Sequence, residues 1–165
     1  VIATPKSMLR AKQAVSQPTD FTQGRWEPAT GDPTITDPSQ VRRILLCSGK
    51  VRWELVTARA EAGLEGKVAI IALERLYPLP AKELAAQLAR YPADADIRFV
   101  QDEPENQGAW WFMKQHLPAA VAAFLPGYQL TITPVTRPAA SAPSVGSLKV
   151  HREQHDDLMA RAFSE

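Results

Sequence analysis

The apolar positions of the chain form short continuous runs and helical stripes, and the two alternate from residue 41 onward. Runs at 44–47, 68–73 and 97–101 predict strands. The run at 68–73 is almost entirely aliphatic, which is typical of a strand that is covered on both faces. A fourth strand is predicted at 128–133.

Apolar residues between these runs recur at helical spacing. Helices are predicted over 50–62, around 84–91, from Ala109 and over 151–163. The predicted apolar faces are Val51, Leu55, Ala58 and Ala62; Leu84, Leu88 and Tyr91; and Leu158, Met159, Ala162 and Phe163. Pro118 is expected to kink or divide the third helix, because proline has no N–H donor. The alternation predicts a three-layer α/β domain, whose mixed, mainly parallel sheet has helices on both faces.

The first forty residues follow no sustained period, because prolines and glycines interrupt them repeatedly. We interpret residues 1–40 as a linker from a preceding domain that is absent here, and residues 41–165 as the α/β domain. The chain begins with Val-Ile-Ala-Thr-Pro and has no initiator methionine or targeting signal, which indicates a piece of a longer polypeptide.

Composition narrows the class of protein. The 165 residues include 19 Lys and Arg against 18 Asp and Glu, so a net charge of +1 gives no general attraction for nucleic acid. No apolar run approaches the roughly 20 residues of a membrane span. The single cysteine, Cys47, excludes an internal disulfide and a multi-cysteine zinc module, and it is compatible with a reducing compartment.

Ligands of parallel α/β sheets gather at the carboxyl ends of the strands, which here are 48–50, 74–77 and 102–108. Ser48, Gly49 and Lys50 offer backbone N–H groups, a flexible glycine and a cation between a strand and a helix, a combination that suits a phosphate. The alternative is an ordinary strand-to-helix turn with a solvated lysine. Lys6, Arg10 and Lys12, together with Lys50 and Arg137, would complete a pocket for a phosphorylated ligand if the fold unites them.

Acidic and histidine groups offer further candidates. Asp102, Glu103 and Glu105 have the ligand chemistry of a Mg²⁺ or acid–base site, but they equally fit a turn before a helix. His151 and His155 have the i,i+4 spacing of a zinc pair, although the sequence HREQH misplaces the glutamate of that motif, which favours a solvated helix face.

Cys47 and the aromatic residues at 110–112 also have structural interpretations. Cys47 ends an apolar strand without a nearby base, so we expect a buried thiol rather than a nucleophile. Trp110, Trp111 and Phe112 point in different directions on a helix, which predicts that at least one lies in the core.

Five strings occur in order along the chain: TPKSMLR at 4–10, CSGK at 47–50, ERLYPLP at 74–80, QDEPENQGAW at 101–110, and RPAASAPSVGS at 137–147 followed by KVH at 149–151. Through them the chain closely resembles the carboxyl-terminal part of the thiamine-diphosphate-dependent decarboxylating component of 2-oxoglutarate dehydrogenase. The resemblance implies a transketolase carboxyl-terminal-like α/β fold.

The resemblance also implies how the activity is divided. The whole bacterial, cytoplasmic enzyme is expected to decarboxylate 2-oxoglutarate oxidatively and to pass a succinyl group to lipoamide, with thiamine diphosphate and Mg²⁺ held by upstream domains. This chain has no GDG…N cofactor motif, so we expect it to be inactive alone. Expected partners are the upstream domains, a second copy in a homodimer, and the dihydrolipoamide succinyltransferase of the complex.

Some bacterial relatives bind an acyl-CoA or adenine-nucleotide effector through this domain, so acetyl-CoA and AMP are the expected ligands here. Carried over by motif, the expected contacts are Lys6, Ser7, Arg10, Ser48, Gly49 and Lys50, with Arg137 added from the physical argument. The chain departs from the family pattern at Arg52 and Trp53, where tyrosines are common, and at Asp102, where glutamate is usual. The alternative function is a stand-alone acyl-CoA or nucleotide-sensing module.

Overall fold

A computed structural model describes residue 1 and residues 4–164. The strands are β1 (Ala29–Thr30), β2 (Arg43–Cys47), β3 (Val68–Leu73), β4 (Asp96–Pro104) and β5 (Thr133–Arg137). The helices are α1 (Pro18–Thr22), α2 (Val51–Glu61), α3 (Ala81–Leu88), α4 (Trp110–Ala122) and α5 (Leu148–Phe163), and a 3₁₀ helix spans Lys6–Arg10.

The five strands form one sheet in the order β1-β3-β2-β4-β5. β2 pairs in parallel with both β3 and β4, and β4 pairs in parallel with β5. The two-residue β1 runs antiparallel to β3 at the opposite edge. The predicted mixed, mainly parallel sheet is therefore confirmed.

The sheet separates two apolar layers because alternate residues of each strand point to opposite faces. Ile44 and Leu46 pack with α3 and α4, whereas Leu45 and Cys47 pack with α2 and α5. Trp110 lies in the core and Trp111 is half exposed, as the different directions of the three aromatics require. This arrangement is the predicted three-layer α/β domain.

The fourth strand was predicted too early in the chain. Pairing with β4 begins at Thr133, and the strand is Thr133–Arg137 rather than 128–133. The alternating residues before it instead place Leu130, Tyr128 and Ile132 against the α3–α4 layer. β5 is an edge strand, which accommodates Pro134 because that position needs a hydrogen bond on one side only.

Two details of the helices also differ from expectation. Of the two predicted effects of Pro118, a kink or a division of the helix, the division is wrong, because α4 is continuous across Pro118. The buried face of α2 contains Val51, Leu55 and Arg59, while Ala62 is exposed. Arg59 is buried on this helix face, where alanines were expected, because its charge has a buried acidic partner.

That partner, Asp32, lies in the segment before residue 41. Asp32 and Ile35 are buried, and β1 extends the sheet, so residues 29–35 pack with the rest of the fold. The role of residues 1–40 as a linker stays a prediction. In the part of the chain that the structure describes, no helix is long and apolar enough to cross a membrane.

Candidate functional site

A cleft of about 510 Å³ opens at the carboxyl ends of β2, β3 and β4. Each of the three strand ends singled out in the sequence contributes to it. Its lining residues are Ser48, Gly49, Leu76, Tyr77, Phe99, Gln101, Glu103, Gly108, Ala109 and Phe112. A concave apolar surface with a few polar groups at this edge is the usual setting of a small-molecule site in an α/β fold.

Aromatic side chains form one wall of the cleft. Tyr77 and Phe112 meet edge to face with ring centroids 6.1 Å apart, and Phe112 continues to His116 at 4.8 Å. Tyr77 is 80% exposed, so much of this wall faces solvent. The wall suits a flat or apolar part of a ligand better than a free phosphate.

Two glycine-containing turns also line the cleft. Gly49 has a φ of 73° and Gly108 a φ of 67°, a region that glycine adopts without steric cost. Gly49 lies in the turn between β2 and α2, and both Ser48 and Gly49 line the cleft. The sequence therefore identified both turns correctly as features of the sheet edge.

Lys50 follows this turn, but its ammonium group is already paired. Its Nζ lies 2.8 Å from Glu54 Oε1 and 2.7 Å from Asp102 Oδ2. Burial acts to lower the pKa of Lys50, but the hydrogen bonds from its ammonium to Asp102 and Glu54 outweigh it, so the pKa lies above its usual value. The lysine is thus a charged link between α2 and β4 rather than a solvated side chain.

Arg137 binds the same aspartate from the neighbouring strand. Its Nη2 lies 2.6 Å from Asp102 Oδ1, and its Nε donates to the Asp102 backbone oxygen at 2.8 Å. Its Nη1 donates to the His151 backbone oxygen at 3.1 Å, which ties β5 to α5. Burial acts to raise the pKa of Asp102, but contacts with Lys50 and Arg137 outweigh it and leave the pKa below its usual value.

The remaining predicted effector contacts form no hydrogen bond or ion pair with Lys50, Asp102 or Arg137. Lys6, Ser7 and Arg10 are exposed in the 3₁₀ helix. Their side chains take part in none of the hydrogen bonds or ion pairs found among residues 4–164. Asp102 therefore unites Lys50 with Arg137, and Ser48 and Gly49 share the cleft, whereas the amino-terminal residues are not bonded to either group.

The described residues contain neither the zinc pair His151–His155 nor the Mg²⁺ cluster of Asp102, Glu103 and Glu105 that the sequence offered as candidates. Glu54, Asp102 and His155 are the one group of metal-ligand type among the described residues, with ligand atoms within 4.8 Å of one another. The Lys50 ammonium contacts both carboxylates of that group and Arg137 binds Asp102 as well, so two cations already balance the two negative charges. His151 accepts a hydrogen bond from Arg137 through its backbone oxygen, and its imidazole is not part of the group with His155.

Cys47 is fully buried in β2, as predicted. Burial raises the pKa of its thiol to about 12, so the nucleophilic thiolate is suppressed near neutral pH.

Sequence reasoning missed the most deeply buried ion pair. Arg59 is 1% and Asp32 4% exposed, and the Arg59 guanidinium bonds to the Asp32 carboxylate and to Val68 O. Asp32 also accepts from the backbone N–H groups of Thr34 and Ile70 at 3.0 and 2.9 Å. Nothing in the local pattern pairs residues 27 positions apart, although an arginine on an apolar helix face is itself a signal of a buried partner.

Comparison with a solved structure places the fold in a known class. The chain is similar to a split-gene transketolase, described as an inactive β4 tetramer, with a TM-score of 0.51 and 15% sequence identity. The match covers 84% of this chain and 42% of that one. The domain is therefore an α/β domain of the transketolase carboxyl-terminal type.

Sequence comparison gives the family. The family described as "2-oxoglutarate dehydrogenase C-terminal" matches residues 15–163. This chain belongs to that family, which confirms the resemblance drawn from the five strings.

Two curated relatives illustrate the match. The chain is 41% identical over 165 residues to the 2-oxoglutarate dehydrogenase E1 component of Cupriavidus necator, covering 100% of this chain and 17% of that protein. It is 42% identical over 167 residues to the multifunctional 2-oxoglutarate metabolism enzyme of Mycolicibacterium vanbaalenii, covering 99% of this chain and 13% of that protein. The chain therefore spans about a sixth or less of the length of these relatives.

Proposed function

We propose that this chain is the structural, dimerisation and regulatory carboxyl-terminal domain of a 2-oxoglutarate dehydrogenase. The complete protein would decarboxylate 2-oxoglutarate and transfer the succinyl group to lipoamide. The observation that carries the proposal is the family match over residues 15–163, together with 41% identity along the whole chain to a named E1 component.

The catalytic cofactor is assigned to upstream parts of that protein. In this chain, Glu54, Asp102 and His155 do not fit a Mg²⁺-diphosphate site, because the Lys50 ammonium bonds to both carboxylates and Arg137 also binds Asp102. Binding a dication there would add charge to a group that is already neutralised. The chain's own contribution is to hold the preceding domains and a second copy in place, in the cytoplasm of a bacterium, where dihydrolipoamide succinyltransferase accepts the product.

The regulatory part of the proposal is an acyl-CoA or adenine-nucleotide effector. Ser48 and Gly49 line a cleft with an aromatic wall, and Lys50 is the next residue in the sequence. We assign the effector contacts to these three residues and to Arg137, with Lys6, Ser7 and Arg10 joining through the preceding domain. The exposed position of these last three side chains leaves them accessible for such a contact.

The experiment is an activity assay on the complete gene product. Purified protein with thiamine diphosphate, Mg²⁺ and ferricyanide as electron acceptor is expected to oxidise 2-oxoglutarate, and pyruvate serves as the comparison substrate. The 165-residue chain alone is expected to be inactive. A complete gene product no longer than this chain, which binds acetyl-CoA or AMP without any turnover, would instead establish the stand-alone sensing module.

A further inference from the structure

Asp102 bridges Lys50 and Arg137 through its two carboxylate oxygens. One carboxylate oxygen is 2.7 Å from Lys50 Nζ, and the other is 2.6 Å from Arg137 Nη2. A carboxylate between two cations is the arrangement that a phosphate or carboxylate of a ligand forms in an anion site. In this chain the anion is supplied internally.

The charges of the cluster are balanced. Lys50 and Arg137 contribute two positive charges, and Glu54 and Asp102 contribute two negative charges within ion-pair distance of them. An arriving anion gains no net attraction from a balanced cluster, because each cation is already neutralised. It gains attraction only where it replaces one of the two carboxylates.

Lys50 is the cation that can change partner. Its side chain is 29% exposed and directly follows the Ser48–Gly49 turn in the sequence, whereas the Arg137 side chain is 6% exposed and also bonded to the Asp102 and His151 backbone oxygens. Lysine carries a compact charge on a flexible stem, so its ammonium moves between partners without repacking the helix.

We propose that Asp102 is an internal competitor for Lys50, so that an anionic effector binds only when the Lys50–Asp102 ion pair opens. The inference rests on the effector site assigned above and names the residue that sets its affinity. Opening of this ion pair would also affect α5, because Arg137 binds both the Asp102 carboxylate and the His151 backbone oxygen.

The test compares two neutralised aspartates on the same strand in the complete protein. Asp102→Asn keeps the size of the side chain and removes the competing charge. Asp96→Asn is the matched control, since Asp96 lies at the opposite end of β4 and is paired with Arg43 and Arg98 at 2.7 and 2.8 Å. Calorimetric affinities for acetyl-CoA and AMP are measured for both variants and for the unmodified protein.

The proposal predicts that Asp102→Asn binds at least one of the two ligands about tenfold more tightly than the unmodified protein, while Asp96→Asn changes affinity less than about twofold. Adding Lys50→Met to Asp102→Asn should abolish the gain. Equal affinities of the two aspartate variants, or no binding by any of the proteins, would overturn it. The 2-oxoglutarate assay is independent of these results, so the competitor role and the family function fail separately.

A second variant covers the case in which Asp102→Asn does not fold. Glu54→Gln removes the other carboxylate from Lys50 and leaves the Asp102 contacts with Arg137 intact. It should raise affinity by roughly threefold or more. Glu61→Gln, an exposed change at the end of the same helix, is its control and should have no effect. Unchanged affinity in Glu54→Gln would contradict the competition.

Discussion

The side-chain carbonyl of Gln101 accepts a hydrogen bond from the backbone N–H of Trp110 at 2.8 Å, which joins the interior of β4 to the start of α4. Its amide group donates to the backbone oxygens of Pro104 and Gln107 at 3.0 and 2.8 Å. Gln101 is 4% exposed. One buried amide therefore fixes the turn that lines the cleft.

Replacing this amide by a carboxylate should destabilise the fold. Gln101→Glu keeps the shape of the side chain but loses the donor and places negative charge against the two carbonyl oxygens. The expected loss in the free energy of unfolding is about 2–3 kcal/mol, measured by urea denaturation near pH 7. Gln115→Glu, an exposed change in α4, is the control and should cost less than about 0.5 kcal/mol. Similar losses in the two variants would contradict the role of Gln101.

Gly108 should tolerate a side chain less well than another glycine of the same backbone conformation. A Cβ there would lie 2.9 Å from Gln101 Oε1 and 3.0 Å from Glu103 Cβ, at a φ of 67°. Gly127 has a φ of 83° but open space around it. We expect Gly108→Ala to cost about 2–3 kcal/mol of unfolding free energy, and Gly127→Ala about 1 kcal/mol, with Gly108→Val worse still. Equal losses for the two alanine variants would show that contact with Gln101 is unimportant.

The Arg59–Asp32 pair should be the most sensitive ion pair to the loss of one partner. Arg59→Met leaves Asp32 buried without its charged partner, which should cost about 3–5 kcal/mol of unfolding free energy. Lys149→Met breaks an ion pair with Glu153 whose side chains are 85% and 61% exposed, and should cost less than about 0.5 kcal/mol. Chemical denaturation midpoints decide the comparison, and a mild Arg59→Met variant would contradict the structural role of residues 29–35.

Acid should weaken the fold through Asp32 and Asp102. Burial opposes ionisation of both groups, but their hydrogen-bonded partners outweigh it and hold each pKa below the usual value of about 4. The folded state therefore binds fewer protons than the unfolded state, and stability falls as the pH drops below about 4. Asp102→Asn should lower stability near pH 7 and show a shallower decline between about pH 4 and pH 2. A decline as steep as that of the unmodified chain would contradict the assignment for Asp102.

Cys47 should be chemically silent in the folded chain. Its burial and a thiol pKa of about 12 predict no measurable reaction with a thiol reagent such as Ellman's reagent at pH 8 in native buffer. One equivalent should react after denaturation in guanidinium chloride. Rapid reaction in native buffer would place the thiol at the surface and contradict the packing of β2.

The sequence predicted the central strands and the cleft because their signals are local. The aliphatic run at 68–73 is a strand because both of its faces are buried, and Gly49 and Gly108 mark turns that need positive φ. The fourth strand is predicted too early in the chain because apolar and polar residues alternate over 128–132, as they do in a strand, although these residues pack against helices. Alternation of apolar and polar residues shows that every second side chain is buried, but it does not show whether the backbone pairs with another strand.

The charge pairing of the site was not predictable in the same way. Lys50 and Glu54 are i,i+4 neighbours on one helix, so their pairing follows from the sequence. The contacts of Asp102 with Lys50 and Arg137 depend instead on the β2–β4–β5 pairing, which places three strand ends together. Reading Lys50 and Arg137 as free cations overlooked the carboxylate that the sheet sets between them.

The most direct test of the proposed function is succinyl transfer by the complete gene product. The protein is incubated with 2-oxoglutarate, thiamine diphosphate, Mg²⁺ and an isolated lipoyl domain, and the mass of that domain is measured. A second preparation lacks the 165 residues of this chain. The proposed function predicts succinylated lipoyl domain with the complete protein and little or none with the truncated one. A complete protein that leaves the lipoyl domain unmodified, or a truncated protein that succinylates it at the same rate, would contradict the proposal.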